Sequence, residues 1–240
     1  MPLQPPTLVL LPGMDGTGDL FAPLLDALGE RFETIVVRYP LHEPLDYAGL
    51  LPIARAALPV DRRFLLVAES FSGPLGIVLA AEAAPGLDGL ILCGSFARNP
   101  RPALAGFGRW SKALPLNAAM VRIAIAATLG GRVEASTRKL IERTVARLPA
   151  PVLATRLRAV LEVDVGRELS KVNAPILYLQ ATRDRAVPPS AADVIRHVRP
   201  DADLVRLDGP HFLLQANPLG AAAEIARFAT ATGPRASPAG

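Results

Sequence analysis

A serine, an aspartate and a histidine stand in the order Ser70, Asp184, His211, and each follows an apolar run that reads as a strand. Ser70 comes after Phe64-Leu65-Leu66-Val67-Ala68, Asp184 after Ile176-Leu177-Tyr178-Leu179-Gln180, and His211 after Leu204-Val205-Arg206-Leu207. Such a set can perform acyl transfer. A serine hydroxyl attacks only when a base takes its proton; histidine is that base near neutral pH, and an aspartate on its second ring nitrogen aims the imidazole and stabilises the imidazolium. Two rivals are weaker: Ser72 reads as a packing or capping residue, and Asp208 lies too near His211 on one loop to reach the far ring nitrogen. His197 belongs to the polar side of a surface helix and His42 to a loop after Pro40, so the three histidines share no metal-ligand spacing. The reaction needs no cofactor. Glu69, beside the serine, reads as a buried carboxylate with no assigned step.

The elements around these residues alternate. Leu8 to Leu11 is a strand that ends in the glycine-rich loop Pro12-Gly13-Met14-Asp15-Gly16-Thr17-Gly18, and a helix follows from Asp19. That loop is neither a P-loop nor a dinucleotide fingerprint. Glu33 to Arg38 predicts a second strand, Tyr47 to Leu58 a helix, and Phe64 to Ala68 the strand that delivers Ser70 to a tight turn and the helix Gly73 to Ala84. Leu87 to Gly94 predicts a fourth strand, with the lone cysteine, Cys93, in its core. The strands Ile176 to Gln180 and Leu204 to Leu207 enclose the helix Ser190 to Val198, and a last helix runs from Pro218 to Ala229. Strands that are continuous apolar runs, alternating with helices, predict a parallel sheet covered on both faces. Reactive groups in such a sheet collect at the carboxyl ends of the strands.

Residues 97–170 break the alternation with helical patterns only, among them Leu116 to Leu129, Glu134 to Leu148 and Val152 to Val163. They predict a helical cap inserted into a core made of 1–96 and 171–231, with 232–240 a disordered tail.

Taken together, the chain resembles the α/β-hydrolases over nearly its whole length. The resemblance rests on the elbow Ala68-Glu69-Ser70-Phe71-Ser72-Gly73, the acid loop around Asp184 with Val187-Pro188, and the histidine loop Gly209-Pro210-His211, in the family's order. Pro12-Gly13-Met14-Asp15-Gly16 is similar to the family's oxyanion loop, with Pro12 where histidine is frequent; the elbow carries Ala68 and Ser72 where glycines are usual. The resemblance implies Ser70 as nucleophile, His211 as base, Asp184 as its orienter, and the N–H groups of Met14 and Phe71 as the oxyanion hole. It also implies an α/β fold with a trimmed, mostly parallel sheet of about six strands, since no leading strand pair fits before Leu8.

Size and charge bound the rest. A chain of 240 residues, 50% hydrophobic, can build one large core. No run is long and apolar enough to span a bilayer, and the N-terminus does not read as a signal peptide, so a cytoplasmic protein without membrane insertion is the expectation. Between Arg101 and Ser170, twelve basic and five acidic residues give the cap +7 against +4 for the whole chain. The bland reading is a solvated set of helix faces; the sharper one is an acidic substrate or partner. Carrier-protein methyl esterases resemble this arrangement, because cap arginines engage an acidic acyl carrier protein there, and Arg138, Arg143 and Arg147 are the candidates here. Nucleic acid is excluded by the lack of a recognition module and of interleaved aromatics. Gly13, Phe107, Trp110 and Leu129, with Leu114, are the candidate lining of an acyl pocket. The expected reaction is hydrolysis of a small-molecule carboxylic ester. A thioesterase, an acyltransferase and a non-catalytic binding module on the same fold stay open.

Overall fold

Continuous apolar runs form the sheet, because a strand covered on both faces has no polar side to alternate with. The computed structural model describes residues 4–104 and 134–233. Its strands are β1 (Thr7–Leu11), β2 (Thr34–Val36), β3 (Phe64–Glu69), β4 (Leu87–Cys93), β5 (Ile176–Ala181) and β6 (Asp203–Leu207). They join in the order β2-β1-β3-β4-β5-β6, and each neighbouring pair is parallel. Among the described residues the expected six-stranded parallel sheet is therefore what forms.

Successive side chains enter different cores. Val9, Leu11, Leu66, Ala68, Leu90 and Leu92 face Leu50 of helix α2 (Tyr47–Ala56), Ile77 of α3 (Gly73–Ala81) and Ile195 on the helix Ser190–Val198. Leu8, Leu10, Leu65, Val67, Ile91 and Cys93 face Leu24 and Leu28 of α1 (Ala22–Leu28) and Ile225 and Phe228 on Pro218–Thr232. Burying each leucine, isoleucine, valine or phenylalanine among them stabilises the fold by about 1.5–3 kcal/mol, so the two layers fix the register of the strands that carry them. Cys93 is buried here, and burial pushes its thiol pKa up.

After β1 the chain turns to β2 on one side; it then returns to place β3 on the other. The loops leaving β1 and β3 thus diverge at their carboxyl ends and open a crevice between them. The glycine-rich loop and Ser70 both lie there. Ser70 has φ +48°, a left-handed backbone that costs a non-glycine residue about 1–3 kcal/mol and holds its side chain out of the turn. The strand and helix that impose this pack tightly: a Cβ on Gly76 would come within 2.8 Å of the Ala68 Cβ. That contact explains why position 76, facing Ala68, is a glycine.

Between β4 and β5 the described helices are α4 (Ala135–Val145), α5 (Ala150–Glu162) and α6 (Gly166–Leu169). Helices alone were the expectation, and the segment adds an antiparallel bridge between Arg98 and Asp164. Asn99 N–H donates to Val163 O at 2.9 Å and Val165 N–H to Ala97 O at 2.8 Å, which pairs backbone groups where the chain leaves and rejoins the sheet. Arg147 donates to Asp19 at 2.8 Å, and Arg38 reaches the same carboxylate at 2.7 Å, tying this segment to the loop after β1. Among the described residues no helix is long and apolar enough to cross a membrane.

Candidate active site

Three side chains from three strand ends meet. Ser70 Oγ lies 2.8 Å from His211 Nε2, and His211 Nδ1 lies 2.8 Å from Asp184 Oδ2. With the ring proton on Nδ1, donated to Asp184, Nε2 is left to accept from Ser70. The second carboxylate oxygen, Asp184 Oδ1, accepts the backbone N–H groups of Ala186 and Val187, both at 2.8 Å. Asp184 is therefore fixed on both sides. Burial acts to lower the His211 pKa, but the Asp184 hydrogen bond, the Asp184 charge and the Glu69 charge outweigh it and raise it above the usual histidine value.

The elbow is held from behind. Ser95 Oγ donates to Ser70 O at 2.6 Å, and Tyr178 Oη in turn donates to Ser95 O at 2.6 Å. Tyr47 stacks on Phe71 at 4.7 Å between ring centroids and donates its hydroxyl to Phe71 O at 2.9 Å. That bond fixes one face of the peptide chain at the residue whose N–H is a candidate oxyanion donor.

The other candidate donor, Met14 N–H, lies in a turn closed by Gly16 N–H donating to Gly13 O at 3.0 Å. Among the described residues neither the Met14 nor the Phe71 N–H has a hydrogen-bond partner. Much of the rest of the loop is held by hydrogen bonds. Ser72 Oγ donates to Pro12 O and sits 2.7 Å from Tyr39 Oη. Asp15 Oδ2 accepts Thr17 N–H at 2.8 Å and Thr17 Oγ1 at 2.6 Å; burial pushes the Asp15 pKa up against these bonds and the Arg156 charge.

Arg156, on α5, has no solvent exposure. Its Nη1 donates to Met14 O at 2.8 Å and Asp15 O at 3.1 Å, its Nη2 to Pro40 O at 3.0 Å, and its Cζ stands 5.8 Å above the Tyr39 ring. Gly16, at φ +71°, makes room for it, because a Cβ there would come within 2.6 Å of Nη1. Charge counting places Arg156 with the surface cations, and its role is missed that way. The available signal is its spacing: Val152, Arg156 and Val160 follow one another on the buried side of the helix.

Glu69 lies buried beneath the site, where Gln215 Nε2 donates to its Oε1 at 2.9 Å. Burial pushes its pKa up to about 7; the Asp15 charge adds to this, and Gln215, His211 and the Gly13 N–H oppose it.

The rival residues are placed elsewhere. Ser72 is fully buried and engaged with the loop. Asp208 takes Thr182 Oγ1 at 3.1 Å and Arg183 at 3.2 Å on the outside of the fold. His42 and His197 are exposed. Of the pocket candidates, Gly13 lies in the loop beside Asp15 and Glu69; Phe107, Trp110, Leu114 and Leu129 lie outside the described residues. Of the candidate docking arginines, Arg143 is exposed, Arg138 is half-buried and Arg147 is bound to Asp19. Among the described residues no group of three or more His, Cys, Asp or Glu side chains could hold a metal ion.

Comparison with known proteins adds to this geometry. An alpha/beta hydrolase family model matches residues 8–225. The putative carbamate hydrolase RutD of Caulobacter sp. (strain K31) is 25% identical over 217 residues, covering 82% of this chain and 80% of that protein. The chloroplastic phytyl ester synthase 1 of Arabidopsis thaliana is 35% identical over 83 residues, which is 32% of this chain and only 12% of that protein. Among solved structures, a lipase-esterase related protein from Clostridium acetobutylicum superposes with a TM-score of 0.79 at 18% identity, over 94% of this chain and 95% of that one. The enol-lactonase from Burkholderia xenovorans gives 0.77 at 18% identity, over 94% and 92%. Both share the fold.

Proposed function

The chain belongs to the alpha/beta hydrolase family, and from that premise we propose that it is a cofactor-independent serine hydrolase that cleaves a carboxylic ester through an acyl-enzyme on Ser70. The carrying observation is the unbroken line from Ser70 Oγ through His211 to Asp184, with 2.8 Å at both contacts. As Oγ bonds to the acyl carbon, its proton passes to His211 Nε2 and the carbonyl electron pair moves onto oxygen. Met14 and Phe71 N–H receive that oxyanion. Collapse of the adduct expels the alcohol, which takes the proton from Nε2, and water repeats the sequence to free the acid.

A fluorophosphonate tests the assignment without knowledge of the substrate. It should attach to Ser70, as located by peptide mass spectrometry, and Ser70→Ala should abolish the label. Absence of label removes the enzyme reading in favour of a binding module, and label on another residue removes Ser70 as the nucleophile.

One observation favours a second reading. The local likeness to an ester synthase fits an acyl-enzyme that passes its acyl group to an alcohol instead of water, from an ester or a thioester donor. Added alcohols that raise the ratio of new ester to free acid would select it. A carrier-bound acyl ester fits the cationic inserted segment. Charge reversal at Arg143, which is exposed, is the sharper test of that, because Arg147 is bound to Asp19.

The pH profile carries a separate prediction. His211 must be neutral to accept the Ser70 proton, so activity is present above its pKa and lost as pH falls through it; the raised pKa puts this acid limb above the ordinary histidine value. Glu69→Gln removes a carboxylate that raises His211 and should move the limb to lower pH. Since Glu69 titrates near 7 itself, the wild-type limb should be broad and the variant's a single-proton curve. A kcat/KM profile on a p-nitrophenyl ester, measured from about pH 5 to 9, that is the same for both proteins rules this coupling out.

A further inference from the structure

We propose that Arg156 is a positioning residue for the oxyanion hole, acting through two peptide groups that stand head to tail between its guanidinium and the Met14 N–H. Each link is a planar trans peptide, so fixing the carbonyl at one end fixes the N–H at the other. Arg156 Nη1 donates to Asp15 O at 3.1 Å; the N–H of that same peptide belongs to Gly16 and donates to Gly13 O at 3.0 Å. The Gly13 carbonyl in turn shares its peptide with the Met14 N–H. The series begins on a buried cation and ends on the N–H that the proposed mechanism aims at the oxyanion.

Two consequences follow. The first is geometric: Nη1 also holds Met14 O at 2.8 Å, and Nη2 holds Pro40 O at 3.0 Å, so one rigid planar group sets three carbonyls from two loops. The second is electrostatic. A cation at the head of aligned peptide dipoles polarises each hydrogen bond after it, by about 10–30% per bond in condensed-phase estimates, and so makes the terminal N–H a stronger donor. The effect is greatest in the transition state, when the acceptor carries most charge. Because Arg156 comes from α5, the inserted segment takes part in the catalytic geometry as well as covering the core.

This inference rests on the serine hydrolase reading, and the two can fail separately. With a p-nitrophenyl ester as probe, Arg156→Met should lower kcat roughly 10²-fold, near the loss of one oxyanion donor, with KM altered less than about threefold. The decisive measurement compares two inhibitors. A trifluoromethyl ketone accepts Ser70 Oγ at its carbonyl carbon, sends the Ser70 proton to His211, and places an oxyanion in the hole. An unreactive amide of the same acyl chain binds without forming it. Arg156→Met should weaken the ketone in proportion to the kcat/KM loss and leave the amide unchanged. A residue that merely fastens the helix would weaken both alike, or lower thermal stability with kcat intact; either result overturns the proposal. Should Arg156→Met not fold, Arg156→Lys decides. It keeps the charge, yet one ammonium cannot reproduce the planar fork, so a smaller loss, again confined to the ketone, is expected, and an unchanged ketone-to-amide ratio overturns it. Turnover that survives in Ser70→Ala would instead sink the serine reading itself.

Discussion

Ser70→Ala should lower kcat on a p-nitrophenyl ester by about 10⁴- to 10⁶-fold, the range seen when an acyl-transfer nucleophile is removed while its oxyanion donors stay in place. The neighbouring hydroxyl cannot substitute, because Ser72 is fully buried and commits its Oγ to Pro12 O and Tyr39. Ser72→Ala removes those two bonds and keeps the nucleophile, so Ser70 should still take the label. Stability gives a second, independent readout. Ser70 holds φ at +48°, which glycine adopts without strain and alanine does not. Ser70→Gly should be as inactive as Ser70→Ala yet more stable than it by about 1 kcal/mol in urea denaturation. The stability split reports the left-handed backbone at position 70, and the shared loss of activity reports the missing hydroxyl. Activity within tenfold of wild type in either variant would remove Ser70 from the mechanism.

The positions of the three candidate catalytic residues were legible because each ends a continuous apolar run, and strand ends are where a doubly covered parallel sheet exposes its loops. Strands in the sheet's middle read well for the same reason: β3 and β5 are buried throughout. The edge read less well. Glu33 to Arg38 looked like a full strand, but β2 pairs only with β1 and keeps three residues, Thr34–Val36. The last helix runs past Ala229 to Thr232, against the low helix propensity of threonine, and the hydroxyls of Thr230 and Thr232 bond back to Ala226 O and Phe228 O. Helices of four residues, Gly166–Leu169 and Leu213–Ala216, are too short to show a period. Arg156 was hidden by a different cause. Net charge sums a fully desolvated guanidinium with solvated ones, although the two do opposite work: one organises a loop, the others face water or surface partners worth about 0–1 kcal/mol each. Only its place between Val152 and Val160 separates it from the rest.

Asp184→Asn should cost about 10⁴-fold in kcat with little change in stability, and the surrounding backbone explains why so small an edit is so expensive. Asp184 Oδ1 accepts the N–H groups of Ala186 and Val187, each at 2.8 Å. An asparagine must keep its carbonyl oxygen on that side, since turning the amide over would set its NH₂ against two donors. Its NH₂ then faces His211 Nδ1, at the position where Asp184 Oδ2 now lies at 2.8 Å. Facing a donor, Nδ1 becomes the acceptor and the ring proton moves to Nε2, the nitrogen that must take the Ser70 proton. The imidazole stays in place with the wrong tautomer. The loop's hydrogen bonds, and with them the fold, survive. Asp208→Asn is the matched control: its carboxylate sits outside with Thr182 and Arg183, and kcat should stay within about threefold of wild type. Steady-state kinetics of the two variants beside thermal melts separates the outcomes. Equal, small losses in both would mean that Asp184 does not orient His211, whereas a collapse of kcat confined to Asp184→Asn, with an unchanged melt, is what a tautomer-setting carboxylate requires.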